Sequence, residues 1–130
     1  MGTNNREKKR ILLVEDDEDL CEAARIGLAR QGYEVEGFRD PIAALAAFRR
    51  DPTRWDLIIT DQNMPKLDGL QLMQAVKTMR QQLPIILWTG MGHMVAEATA
   101  RAQGAALYLS KPVENSTLVH AVRTILAHDA

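Results

Sequence analysis

The sequence predicts a doubly wound α/β domain in which five parallel strands carry helices on both faces. Three observations lead there. Five short apolar runs recur along 130 residues: Ile11-Val14, Tyr33-Phe38, Leu57-Thr60, Ile85-Trp88 and Ala106-Leu109. Most are continuous rather than alternating, the pattern of strands buried on both faces. Stretches with helical spacing separate them, and strict β-α alternation implies a parallel sheet.

Each element has its own signals. The first helix has Leu20, Ala24 and Leu28 at helical spacing and stops at Gly32, a residue suited to a helix C-terminus. Asp17 is predicted to cap it, with Glu18 and Asp19 favoured by the dipole of its first turn. The second helix opens with Asp40-Pro41, an N-cap followed by proline at the first helical position. It continues through Ala44, Leu45 and Phe48 and stops near Asp51-Pro52. Asp68 caps the third, which carries Leu70, Met73, Val76 and Lys77. The fourth is alanine-rich, from about Met94 to Gln103, and ends at Gly104. The fifth runs from about Asn115 to Ala127, with Leu118, Val122, Ile125 and Leu126 inward. Right-handed crossovers leave few windings for such a chain. The flavodoxin-like (βα)5 arrangement, strand order 2-1-3-4-5, is the one predicted.

Composition sets the outer limits. The length suits one domain with a full core. Apolar residues at 46% and charged residues at 25% are ordinary for a globular chain. A net charge of −1 gives no broad attraction to nucleic acid, so no direct nucleic-acid partner is expected. The apolar runs are too short for a membrane span, and MGTNNREKKR lacks the apolar core of a signal peptide. Arg6 stands where a myristoylation signal needs Ser or Thr. A single cysteine, Cys21, makes no internal disulfide and fits a reducing cytoplasm. Residues 1–9 are expected to be a flexible lead-in and residues 10–128 the domain, with no output domain after the fifth helix. His93, His120 and His128 have no metal-ligand spacing and read as solvated helix residues.

The functional question is posed by LIITDQNMPKLDG, where a buried strand runs into a carboxylate, Asp61. In open parallel sheets function gathers at the carboxyl ends of the strands. Strand 1 is followed by Glu15-Asp16-Asp17, strand 3 by Asp61, strand 4 by Thr89-Gly90 and strand 5 by Ser110-Lys111-Pro112. Strand 2, ending in Gly37-Phe38, offers nothing ionic. Strands 1 and 3 are neighbours in the predicted order, so two or three carboxylates meet at one edge. They raise one another's pKa unless a positive group sits among them. A hard divalent cation with oxygen ligands answers that need, and Mg²⁺ is the natural choice. Lys111 adds a fixed positive charge, Thr89 a hydroxyl, and Gly90 an uncrowded approach. A nucleophilic carboxylate, a metal, a lysine and a hydroxyl together match the needs of a transferring phosphoryl group.

The pieces ILLVEDDEDL, DLIITDQNMPKLDGLQL, PIILWTG and LYLSKP, in this order at four strand ends, resemble a response-regulator receiver domain, from about Lys9 to Ala127. The resemblance implies that Asp61 is the phosphoacceptor. It implies that Glu15 and Asp16 hold Mg²⁺, Asp16 more directly, and that Asn63 lends its backbone carbonyl to the metal. Thr89 is then the switch hydroxyl, Lys111 the partner of the phosphate, and Tyr108 the aromatic that changes rotamer on activation. A cis Lys111-Pro112 bond is also implied. The implied partners are a sensor histidine kinase or histidine phosphotransfer domain, and an output partner on helix 4, strand 5 and helix 5. The implied state is a monomer or a phosphorylation-dependent dimer. Two positions depart from the pattern: Glu15 stands where Asp is commoner, and Trp88, beside Thr89, is unusually bulky. The stretches ITDQNMP and LPIILWTG are similar to receiver modules attached to hybrid sensor kinases.

Other readings share parts of this evidence. An aspartate-nucleophile phosphatase of the haloacid-dehalogenase kind needs a second carboxylate two residues after the nucleophile, and Asn63 cannot transfer a proton there. An FMN carrier needs a Ser/Thr/Gly-rich loop after strand 1, where this chain has Glu15-Asp16-Asp17. A pseudo-receiver that docks partners without phosphorylation usually lacks a site residue, and this chain has the full set.

Overall fold

The computed structural model describes residues 8–90 and 97–127. Elements alternate as predicted: β1 (Arg10–Val14), α1 (Glu18–Ala29), β2 (Glu34–Phe38), α2 (Pro41–Arg50), β3 (Leu57–Asp61), α3 (Gly69–Met79), β4 (Ile85–Thr89), α4 (Glu97–Ala102), β5 (Leu107–Ser110) and α5 (Asn115–Ala127). The sheet has the predicted order β2-β1-β3-β4-β5, and every described pairing is parallel. Met94, the expected start of the fourth helix, lies outside the described residues, as do His93, His128 and most of the 1–9 lead-in. His120 is exposed on α5, as expected.

Two apolar layers sandwich the sheet because alternate strand residues face opposite ways. Leu12, Val14, Ile58, Ile85 and Leu87 meet Phe48 of α2 and Leu72, Met73 and Val76 of α3. Ile11, Leu13, Leu57, Ile59, Ile86 and Trp88 meet Ala24 and Leu28 of α1 and Leu118 and Val122 of α5. β1, β3 and β4 are buried throughout apart from Arg10. β2, at the edge, is only partly buried, and Arg10 and Arg54 pair with its Glu34 and Glu36 at 2.9 and 2.8 Å.

The predicted caps are present. The Asp17 carboxylate accepts from the Leu20 amide at 3.1 Å, and that of Asp40 from the Ile42 amide at 2.9 Å. Asp68 and Gln71 form a reciprocal capping box at α3. In two helices the buried face differs from the residues that the spacing picks out. Leu20 is exposed and Cys21 takes the buried position beside Ala24 and Leu28, because at 3.6 residues per turn Cys21 lies nearly in line with Leu28, two turns on, while Leu20 drifts off that face. In α3 Leu72 is fully buried, whereas Leu70 is only half-buried and Lys77 turns its ammonium onto the Gln81 and Leu83 carbonyls.

Candidate functional site

Parallel register assembles the site. Val14 pairs with Thr60, so the chain leaves β1 and β3 at the same height and Glu15 emerges beside Asp61. The Glu15 amide still donates to the Phe38 carbonyl at 2.9 Å, which extends the ladder and holds its side chain inward. Asp61 pairs with Trp88, and Thr89 with Ser110, so the ends of β4 and β5 complete the same rim.

Lys111 reaches across this rim. Its ammonium lies 2.6 Å from a Glu15 carboxylate oxygen and 3.4 Å from an Asp61 oxygen. The Lys111-Pro112 peptide that precedes α5 is cis, as the resemblance implied. Both carboxylates are buried, their side chains 1% and 5% exposed. The other Glu15 oxygen accepts the Asp17 amide at 3.0 Å, and Asp61 accepts the Asn63 amide at 3.3 Å. Burial pushes the Glu15 carboxyl above its ordinary pKa; bonds from Lys111 and the Asp17 amide oppose that, while the Asp61 charge adds to it. Burial likewise pushes Asp61 up, against Lys111 and the Asn63 amide, with Asp16 adding to the rise.

Glu15, Asp16 and Asp61 each offer a carboxylate oxygen, and these atoms lie within 4.8 Å of one another. Counting these three anions and Lys111, the formal charge is −2, the amount a divalent cation would balance. The donors are hard oxygens, the set that Mg²⁺ takes. The residues present therefore fit that ion. Asn63 is exposed at the entrance, with its amide turned to Asp61.

Thr89 is buried, and its hydroxyl has no hydrogen-bond partner among the described residues. Such a group carries a desolvation cost of about 1–3 kcal/mol unless something arrives to bond it. Tyr108 packs half-buried on the face of Leu87 and Leu72. Thr89, two residues beyond Leu87, belongs to that same face. All seven residues singled out from the sequence thus lie along one rim or directly beneath it.

Three contributors were not assigned a site role from sequence. Gly69 opens α3 against the backbone of the strand end: a Cβ there would stand 2.5 Å from the Asp61 carbonyl oxygen. Its signal was the Asp-Gly pair after the loop. Gln62 turns inward, accepts the Leu70 amide at 2.9 Å and so fixes the loop that follows Asp61. Nothing in its residue type marks that role. Trp88 lies under Lys111, its ring centroid 5.2 Å from the ammonium.

Known proteins share these features. The family model for the response regulator receiver domain matches residues 11–123. Among curated relatives, the response regulator protein FleR of Pseudomonas aeruginosa is 39% identical over 113 residues, covering 87% of this chain and 24% of that protein. The transcriptional regulatory protein QseB of Haemophilus influenzae is 34% identical, covering 79% of this chain and 46% of that protein. The chain thus spans about a quarter to a half of the length of such relatives. Among solved structures, a response regulator receiver domain protein from Clostridium thermocellum superposes with a TM-score of 0.87 at 27% identity, covering 93% of this chain and 96% of that one. The chemotaxis protein CheY4 of Vibrio cholerae gives 0.81 at 28% identity, covering 92% of this chain and 99% of that one. A family match over most of the chain, a fold shared nearly end to end, and the acidic rim above make this chain a member of the response regulator receiver domain family.

Proposed function

We propose that this receiver domain accepts a phosphoryl group on Asp61 and uses it to switch a partner-binding surface. The observation that carries the reading is the rim itself: a buried carboxylate flanked by two further acids, with Lys111 3.4 Å away and, on the neighbouring strand, the Thr89 hydroxyl, which has no partner among the described residues. Bound at Glu15, Asp16, Asp61 and the Asn63 carbonyl, Mg²⁺ would neutralise charge on the phosphoryl oxygens. An Asp61 oxygen attacks phosphorus of a phosphohistidine on a sensor kinase or phosphotransfer domain. The O–P bond forms, the N–P bond breaks, and the freed imidazole nitrogen takes a proton. Lys111 supplies the cation that the departing imidazole does not, and it stays beside the new dianion.

The acyl phosphate brings three acceptor oxygens to a site with a hydroxyl to offer. Thr89 turns to donate, and the space it leaves on its face of the sheet is open to Tyr108. The change biases α4, β5 and α5, the surface assigned to the output partner. Water later hydrolyses the acyl phosphate, so the domain assists its own reset but acts as a switch and not as a turnover enzyme. The working unit is residues 10–128 with 1–9 as a lead-in, in the cytoplasm, as a monomer or a phosphorylation-dependent dimer. No helix among the described residues is long and apolar enough to cross a membrane.

The test is intact mass after incubation with acetyl phosphate and Mg²⁺, beside Asp61→Ala. One added phosphoryl group in wild type alone, lost with chelator, is the expected result. No uptake by folded, Mg²⁺-loaded wild type, with phosphoramidate tried as well, refutes it.

A further inference from the structure

Trp88 is 3% exposed on the α1 and α5 face of β4, yet it touches the charged rim. The Lys111 ammonium stands over its ring at 5.2 Å from the centroid while also lying 2.6 Å from Glu15. A cation within about 6 Å of an indole face is attracted by the ring quadrupole, more strongly when desolvated. Beside the pair is an apolar cleft of about 330 Å³ lined by Leu20, Trp88, Lys111, Pro112 and Val113. A lysine side chain has four rotatable bonds and this cleft is room for it to leave the rim.

We propose that Trp88 is a positioning residue for Lys111: its indole face holds the ammonium over Glu15 and Asp61 and keeps it out of the cleft. The inference rests on the phosphoacceptor reading above, since what is positioned is the cation that meets the phosphoryl group. Glu15 alone does not fix Lys111, because its carboxylate is also wanted by the metal. When a cation draws on Glu15, the indole is the neutral contact that remains. It attracts the ammonium without adding an anion to a site that already carries three.

The test changes the ring's shape little and its electrons strongly. The full chain is prepared with tryptophan, 5-fluorotryptophan and tetrafluorotryptophan, and phosphoryl uptake from acetyl phosphate with Mg²⁺ is timed by intact mass. Trp55 is labelled too, but it precedes β3 at the end of the sheet opposite Asp61. The expected result is a rate that falls stepwise with fluorination, about threefold to tenfold over the series. A second readout needs no phosphoryl donor: the Lys111 ε-methylene protons should sit upfield in the NMR spectrum of wild type, and return toward ordinary values in Trp88→Leu. Uptake insensitive to fluorination, or Lys111 resonances without a ring shift, overturns this proposal alone. No uptake by wild type overturns the phosphoacceptor reading, and this one with it.

Discussion

Replacing Asp61 with asparagine should make the metal-free domain more stable, although it removes a carboxylate that is paired with Lys111. The carboxylate oxygens of Glu15, Asp16 and Asp61 lie within 4.8 Å of one another. At an effective dielectric constant of about 20, two unit charges at that separation repel by about 3.5 kcal/mol. Asp61 takes part in two such pairs, about 7 kcal/mol, and is attracted to Lys111 at 3.4 Å by about 5 kcal/mol. Asp16 is half-exposed and better screened, which trims the first figure. The burial cost that raises the Asp61 pKa is relieved as well. The side-chain carbonyl introduced by Asp61→Asn can still accept the Asn63 amide. The net expectation is a gain of about 1–3 kcal/mol, roughly 4–12 °C in Tm for a domain of this size. Urea and thermal unfolding at pH 7 in EDTA measure it. The pH dependence has a fixed sign. Glu15 and Asp61 have folded-state pKa values raised above their unfolded ones. Their contribution is therefore fully favourable below the unfolded values, about 4, and is lost as pH rises through the raised folded values. Metal-free wild type should lose stability over that window relative to Asp61→Asn. Saturating Mg²⁺ should reverse the ranking, since a ligand at a thousand times its Kd adds about 4.1 kcal/mol. An Asp61→Asn protein that is no more stable than wild type in EDTA would refute the claim that this rim is held under charge repulsion.

Lys111→Ala leaves Glu15 and Asp61 buried without their cation and should cost about 3 kcal/mol at pH 7 by urea denaturation, with the loss shrinking as acid protonates the pair. Gly69→Ala drives a Cβ to 2.5 Å from the Asp61 carbonyl oxygen, so the strand end must shift; a loss of about 1–3 kcal/mol and weaker Mg²⁺ binding by calorimetry are expected. Asp68→Ala removes the capping box of α3 and should cost about 1 kcal/mol in urea denaturation while leaving Mg²⁺ affinity unchanged, because Asp68 is bonded to Gln71 and is not one of the three carboxylates that meet at the rim.

The fold was legible because its signals were local and agreed with one another. Continuous apolar runs marked β1, β3 and β4, and Asp17, Asp40 and Asp68 marked helix starts, all of which cap as read. The site was legible for a different reason: parallel strands put whatever follows each one on a single rim, so a list of strand-end residues is already a list of neighbours. What escaped was anything set by side-chain direction. Leu20 and Cys21 are adjacent and both apolar, and only the rotation of α1 decides between them. Gln62 is an ordinary surface residue type that happens to turn inward onto the Leu70 amide. Trp88 was visible as bulky, but its contact with Lys111 depends on a lysine that arrives from the end of β5, a whole β-α unit later and beside a cis proline.

A switch responds to a ligand only as far as the ligand interacts differently with its two states. The resting domain carries two local costs that a bound group can remove. One is the −2 rim, relieved by a divalent cation. The other is the buried Thr89 hydroxyl without a partner among the described residues, relieved by an acceptor oxygen near Asp61. On the proposed reading the two are relieved in order: the metal first, which makes room for a dianion, and the phosphoryl oxygens second, which satisfy Thr89. Glu15 makes that order workable. Being one methylene longer than aspartate, it reaches Lys111 at 2.6 Å, closer than Asp61 does at 3.4 Å, and so parks the ammonium beside the acceptor rather than on it. An ammonium bonded tightly to the attacking oxygen would stabilise the carboxylate before reaction as much as after. Held by Glu15 before the metal arrives and by the Trp88 ring once it has, it is free to gain most when the phosphoryl group is in place, the kind of interaction that lowers a barrier.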